Sequence, residues 1–307
     1  MTPADVRGRL VDLIGSGRLD LADPGAGRTG ERWMALFALA RTEDVSVARL
    51  AEAHVDAVAI LHEAGLEPYP DAIYGVWASV GPHDAAFTAN RSISGSKRFC
   101  SGLGIVDRAL IDVIDGDRRT LMDVDVDTGG GATIAFTSGW GTAALAATST
   151  GDVTFDDHRG DADRAVGPPG WYLDRIGFWH GAVGPAACWA GGAAGLVDLA
   201  VPGDDPHRLA RHGALLAERA LLEAVLVRSG ERMDGDAGGS TAADALATRY
   251  LVHESCSRIL DQFARAFGPR QLIEPCCAQR YADTQMYIRQ FHADHDLVAL
   301  ARSDARR

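Results

Sequence analysis

A chain of 307 residues with 47% hydrophobic and 23% charged side chains has the makeup of a globular protein with a sizeable core, divided into one large domain or two to three modest ones. Its net charge of −12 argues against a nucleic-acid-binding surface, because phosphates are repelled overall. The five cysteines, Cys100, Cys188, Cys256, Cys276 and Cys277, form no CxxC pair and suit reduced thiols in a cytoplasmic protein rather than a disulfide framework.

Residues 1–75 read as a helical region. MTPADVRGRLVDLIG is amphipathic, with Val6, Leu10 and Leu13 at helical spacing, and lacks the apolar core of a secretory signal. Trp33, Leu36, Phe37 and Ala40 repeat the spacing, as do Val47, Leu50, Ala51, His54, Val58 and Leu61. Gly65 and Pro68 supply a stop. Over residues 76–168 short alternating runs are separated by Gly, Pro, Asn and Asp turns, the texture of a compact antiparallel β domain. Its clearest strands are Ser96–Cys100, Ala109–Ile114, Thr120–Val126, Thr133–Phe136 and Asp152–Phe155.

After VGPPG the chain turns helical again, and residues 169–307 read as a bundle. Helices are expected over Ile176–Val201, His207–Arg228, Ala242–Phe267 and Cys276–Arg302, with Ser229–Ser240 as a polar hinge. The first is nearly uncharged, but its Ala and Gly content suits close packing in a core better than a membrane.

Several lookalike motifs fail. Gly102-Leu-Gly104-Ile-Val-Asp107 lacks the third glycine of a dinucleotide-binding loop, and a strand follows where that loop needs a helix. Of His292, Asp294, His295 and Asp296, only His292 and Asp296 share a helix face, so no metal site is expected. Asp112, Asp115, Asp117, Asp123, Asp125 and Asp127 read as an exposed acidic face, without the glycine and glutamate of a calcium loop.

The most informative stretch is SGSKRFCSGLGIVDRALI, from Ser94 to Ile111, followed by WGTAALAATSTGDVTFDD from Trp140 to Asp157. With helices on either side, these segments resemble the middle domain of the acyl-CoA dehydrogenase family of flavoproteins, over most of the chain after about Asp44. The resemblance implies an α+β, mostly α fold: a shortened N-terminal helical region, a middle antiparallel β-barrel and a C-terminal four-helix bundle. It implies FAD, with Phe99, Cys100, Ser101 and Gly102 on the strand against the flavin ring. Trp140 begins the second signature. The competing reading makes Phe99 and Trp140 β-domain core aromatics.

Departures from the family pattern matter as much. Its Thr-Glu…Gly-Ser-Asp segment is replaced by WASVGPHDAAFTAN (Trp77–Asn90), and the segment that grips the ADP half of the cofactor is reduced to ARAFGPRQL around Gly268. Desaturation of an acyl thioester needs a carboxylate base, and its place in RYADTQMYIRQFHADHDL falls near Phe291 and His292. His180, in GFWHGAVG, is the leading alternative base, with His292 next; a core histidine satisfied by a backbone carbonyl is the bland reading of His180. The expected function is flavin-dependent desaturation of an acyl thioester or a similar carbonyl-activated substrate. A flavin monooxygenase and a non-catalytic binding or assembly subunit are the alternatives. The resemblance further implies a homodimer or homotetramer, for which the Ile176–Val201 and Ala242–Phe267 helices offer surfaces unless both are satisfied within one subunit.

Overall fold

The computed structural model describes the chain apart from residues 82–83, 127–132, 138, 161–162, 236–240, 292 and 305–307. Helices α1 (Pro3–Gly15), α2 (Thr29–Thr42) and α3 (Val45–Glu63) precede strands β1 (Tyr74–Trp77), β2 (Ala86–Phe87), β3 (Ile93–Cys100), β4 (Arg108–Asp115), β5 (Arg118–Asp125), β6 (Ile134–Thr137), β7 (Gly151–His158) and β8 (Arg164–Val166). Helices α4 (Trp171–Asp174), α5 (Phe178–Gly181), α6 (Gly184–Asp198), α7 (Pro206–Gly235), α8 (Thr241–Leu272), α9 (Pro275–Tyr287) and α10 (Ala293–Asp304) follow. The helix–sheet–helix order is the one read from the sequence. The chain forms two compact units.

The first unit comprises Met1–Asp20, Leu50–Thr142 and Ala146–Phe178. Helix α1 opens on a reciprocal cap, in which Thr2 and Asp5 satisfy each other's backbone amides, and it buries Val6, Leu10 and Leu13. Among the described residues eight strands make one sheet in the order β6-β7-β3-β2-β4-β5-β8, with β1 beside β4. The pairings are antiparallel except β1 with β4 and β2 with β4, which are parallel. Strand β4 is buried from Arg108 to Val113, so its apolar residues run on rather than alternate. Ala57, Ile60 and Leu61 of α3 pack with Tyr74, Leu110, Leu121 and Val166 in its core.

Two of the six aspartates expected on an exposed face are buried. Asp112 is 7% exposed and Asp123 0%, because each lies on an inward position and meets cations there. Asp123 accepts hydrogen bonds from Arg108 Nε at 2.7 Å and Arg164 Nε at 3.0 Å. Asp127 lies outside the described residues.

The second unit comprises Leu21–Arg49, Ala143–Leu145 and Trp179–Arg307. At its centre is α6, in contact with α2, α7, α8 and α9. Its small residues permit close approach: a Cβ on Gly191 would lie 2.2 Å from the Phe37 carbonyl oxygen of α2. Pro185 in the first turn of α6 makes that helix start later than the sequence suggested. Helix α7 runs on through the first half of the expected hinge, because Gly230 packs directly on Gly30 and Asp234 accepts the Thr29 amide at 2.8 Å. Helix α8 kinks at Gly268 (φ 53°), where the sequence supplied a stop. The last expected helix is two, α9 and α10, since Phe291 takes an extended backbone conformation after a short 3-10 turn.

The smooth face of α6 and the stripe Val252, Cys256, Ile259, Leu260, Phe263 and Phe267 of α8 are both buried within this unit. Among the described residues no helix is long and apolar enough to cross a membrane.

Candidate functional site

Strand β3 carries the sequence ISGSKRFC, and its register against β7 shifts between Lys97 and Cys100. The irregularity is a bulge, a device that re-aims side chains at the edge of a ladder. It gives Phe99 a φ of 57°, a strained position for a bulky aromatic residue. Phe99 is 61% exposed, which is not the environment of a core aromatic.

Side chains from neighbouring segments pin the bulge by its backbone. The Phe99 amide donates to Asp152 Oδ1 at 3.3 Å, and the Ser79 hydroxyl donates to the Arg98 carbonyl at 2.7 Å. The Arg98 guanidinium stands 5.0 Å from the Phe99 ring centroid and 3.7 Å from the Asp152 carboxylate. Beneath the bulge Lys97 is fully buried. Its ammonium donates to Asp84 Oδ1 at 2.7 Å, to the Asp112 carbonyl at 3.2 Å and to Asp112 Oδ1 at 3.4 Å. Arg119 bonds the same two carboxylates. Burial pushes the Asp84 carboxyl up, but the bonds from Lys97 and Arg119 outweigh it and hold the group below the usual carboxylate range. Two cations and two anions thus close on themselves.

The other residues of the strand turn inward. Cys100 is buried, and burial pushes its thiol up to about 12, so it is an inert thiol at neutral pH. Ser101 is 8% exposed; its hydroxyl shares a 2.8 Å hydrogen bond with Thr150, and its carbonyl accepts from Trp77 Nε1 at 2.9 Å. The Gly102 amide donates to the Thr148 carbonyl at 2.8 Å, and a Cβ there would meet Val106 at 2.7 Å. Trp140 is half-buried in the coil after β6. The structure therefore gathers Phe99, Cys100, Ser101 and Gly102 with Trp77, Ser79, Thr150 and Asp152 in the first unit.

His180 belongs to the second unit, where it is 5% exposed and its backbone carbonyl accepts from Trp33 Nε1 at 3.0 Å. His292 lies outside the described residues. Phe291, at the place counted for a carboxylate base, is buried against His253, with ring centroids 4.8 Å apart, and Tyr250. The same unit holds a cleft of about 360 Å³, lined by Arg41, Asp44, Asp198, Cys276, Arg280 and Asp283 among others. Asp283 accepts from the Leu145 amide at 2.6 Å and from Gln279 Nε2 at 2.8 Å, while burial pushes its carboxyl up to about 6.

Sequence reasoning missed Lys97, Asp84, Asp112, Arg119, Ser79 and Asp152. A signal existed for two of them: Lys97 and Asp112 are charges set inside strand patterns otherwise built to bury their inward residues.

No protein-family model and no curated protein matches the sequence. Solved structures do. Butyryl-CoA dehydrogenase from Megasphaera elsdenii superposes with a TM-score of 0.73 at 15% identity, covering 89% of this chain and 81% of its own. The fold is that of the acyl-CoA dehydrogenase family. Within this fold, TdsC from Paenibacillus sp. A11-2, a dibenzothiophene monooxygenase in complex with FMN and indole, gives a TM-score of 0.74 at 16% identity over 97% of this chain and 88% of its own. The 3-HSA hydroxylase from Rhodococcus sp. RHA1 gives 0.70 at 14% identity over 98% and 94%. Identities this low carry the fold alone.

A flavin can be tested against these residues. The exposed Phe99 offers a ring face on a fixed backbone. The ring end fits. In the ARAFGPRQL segment Gln271 is turned inward. Gln271 donates to the Leu199 carbonyl at 3.1 Å and accepts the Val201 amide at 3.3 Å, Phe267 is buried, and Pro269 has no N–H.

Proposed function

We propose that the protein is a flavin-dependent oxidoreductase. The observation that carries this reading is Phe99, an aromatic side chain held out of its strand at positive φ and left 61% exposed on the acyl-CoA dehydrogenase fold. Phe99 would take one face of the ring. Bound flavin supplies two-electron chemistry, as acceptor of hydride from substrate or as donor of electrons to oxygen.

Between these, the residues favour oxygenation. Desaturation of an acyl thioester requires a base beside the α-carbon, and Phe291 stands at the counted place of the carboxylate, buried against two aromatic rings. Oxygen insertion needs no such carboxylate, and two of the structural neighbours are named as a monooxygenase and a hydroxylase. The inward-turned Gln271 likewise favours FMN over FAD. Assembly with a second copy has support in Leu209, Leu216, Leu221 and Val227, apolar side chains exposed on α7.

The test is direct. Protein loaded with FMN or FAD should retain a flavin absorption band through gel filtration. The reduced complex, mixed with oxygen and a panel of aromatic substrates, should form hydroxylated product. Anaerobic bleaching by an acyl-CoA panel would instead establish desaturation. Failure to retain either flavin would leave the binding or assembly role.

A further inference from the structure

We propose that Ser79 and Asp152 are positioning residues that hold the Arg98–Phe99 bulge in place as a preformed platform for the flavin ring. The inference rests on the flavin reading above and adds to it what keeps the platform rigid.

A phenylalanine at φ 57° persists only where its surroundings leave the chain no alternative. Here the restraints act on backbone atoms. Ser79, just beyond β1, holds the Arg98 carbonyl at 2.7 Å, and Asp152, near the start of β7, holds the Phe99 amide at 3.3 Å. Asp152 also steadies Arg98, whose guanidinium lies 3.7 Å from its carboxylate and 5.0 Å from the Phe99 ring centroid. Below, Lys97 fixes the root of the bulge through Asp84 and Asp112. Neither Ser79 nor Asp152 is buried, so neither is needed to fill the core. Their bonds set where the exposed ring stands. Removing one should free the bulge to relax toward a regular strand, which would turn Phe99 away from a ligand without unfolding the sheet.

The experiment uses the full chain as wild type, Ser79→Ala, Asp152→Ala and Ser79→Thr, titrated with FMN and FAD by quenching of flavin fluorescence and by visible absorption. Both alanine variants should bind flavin about two- to tenfold more weakly, as expected for loss of one solvent-accessible hydrogen bond, and should shift the bound-flavin absorption band. Their thermal midpoints should match wild type, and Ser79→Thr, which keeps the hydroxyl, should restore affinity and spectrum. Wild-type affinity and spectrum in both alanine variants would overturn the positioning role while leaving the flavin reading intact. A wild-type protein that takes up neither flavin would overturn both.

Discussion

Replacing Lys97 with methionine tests the energetics at the root of the site. Methionine matches the lysine's length but removes an ammonium that meets Asp84 Oδ1 at 2.7 Å and two oxygens of Asp112 at 3.2 and 3.4 Å. Breaking one partner out of a buried ion pair costs about 3–5 kcal/mol, since the remaining charge stays out of water. Arg119 still bonds both carboxylates and its side chain is 29% exposed, so the loss belongs at the lower end, about 3 kcal/mol. At about 2–4 °C per kcal/mol for a chain of this size, the midpoint should fall by roughly 6–12 °C in thermal melts followed by circular dichroism. The double variant Lys97→Met with Asp84→Asn, which also removes the stranded anion, should recover about 1–2 kcal/mol of that loss. A single variant costing under about 1 kcal/mol, or a double variant as unstable as the sum of its singles, would refute the argument that this quartet is balanced by charge. The pH dependence has a definite sign. The Asp84 carboxyl is held below its usual value, so its contribution is present at neutral pH and is lost as pH falls through that depressed value, below about 4.

The Asp283 carboxyl behaves oppositely. Burial raises it to about 6, so the folded state binds the proton more tightly than the unfolded one, and stability should rise as pH falls from about 6 to about 4. Asp283→Asn should flatten that slope in urea titrations, and a slope unchanged in the variant would place the proton elsewhere. Cys276 is exposed while Cys100, Cys188, Cys256 and Cys277 are buried, so a chromogenic disulfide reagent on native protein should label it first. Cys276→Ser should remove the fast phase, and persistence of that phase would contradict the burial pattern. Gly191→Ala should destabilise by about 1–3 kcal/mol or more by forcing α2 from α6, because the new methyl would lie 2.2 Å from the Phe37 carbonyl oxygen. A neutral result in denaturant melts would show that the helix pair can separate without cost.

Much of the scaffold was legible because its signals are local. The stripe Val6, Leu10 and Leu13 and the stripe from Val252 to Phe267 mark buried helix faces by spacing alone, and all are buried as that spacing implies. The strands that became β3, β4, β5, β6 and β7 announced themselves by turn residues and short apolar runs. Strands β1, β2 and β8 did not, being two to four residues long and defined by their partners rather than by a period. Helix α7 outran its expected end for a similar reason. The polar SGERMDG stretch carries no apolar stripe, yet Gly230 on Gly30 and Asp234 on the Thr29 amide keep it wound.

The segment around Phe99 was conspicuous in the sequence as a basic-aromatic strand between glycine turns. What the order of residues determined was an aromatic strand inside a small β domain, since alternation and turn chemistry act between near neighbours. Tertiary structure alone decided that Phe99 faces outward while Cys100 and Ser101 face in, and that Lys97, Asp112 and Asp123 are interior charges rather than solvated ones. The physical reason is that a buried ion is tolerable only beside its counter-charge, and those counter-charges, Asp84, Arg119, Arg108 and Arg164, come from other segments whose approach no local pattern records.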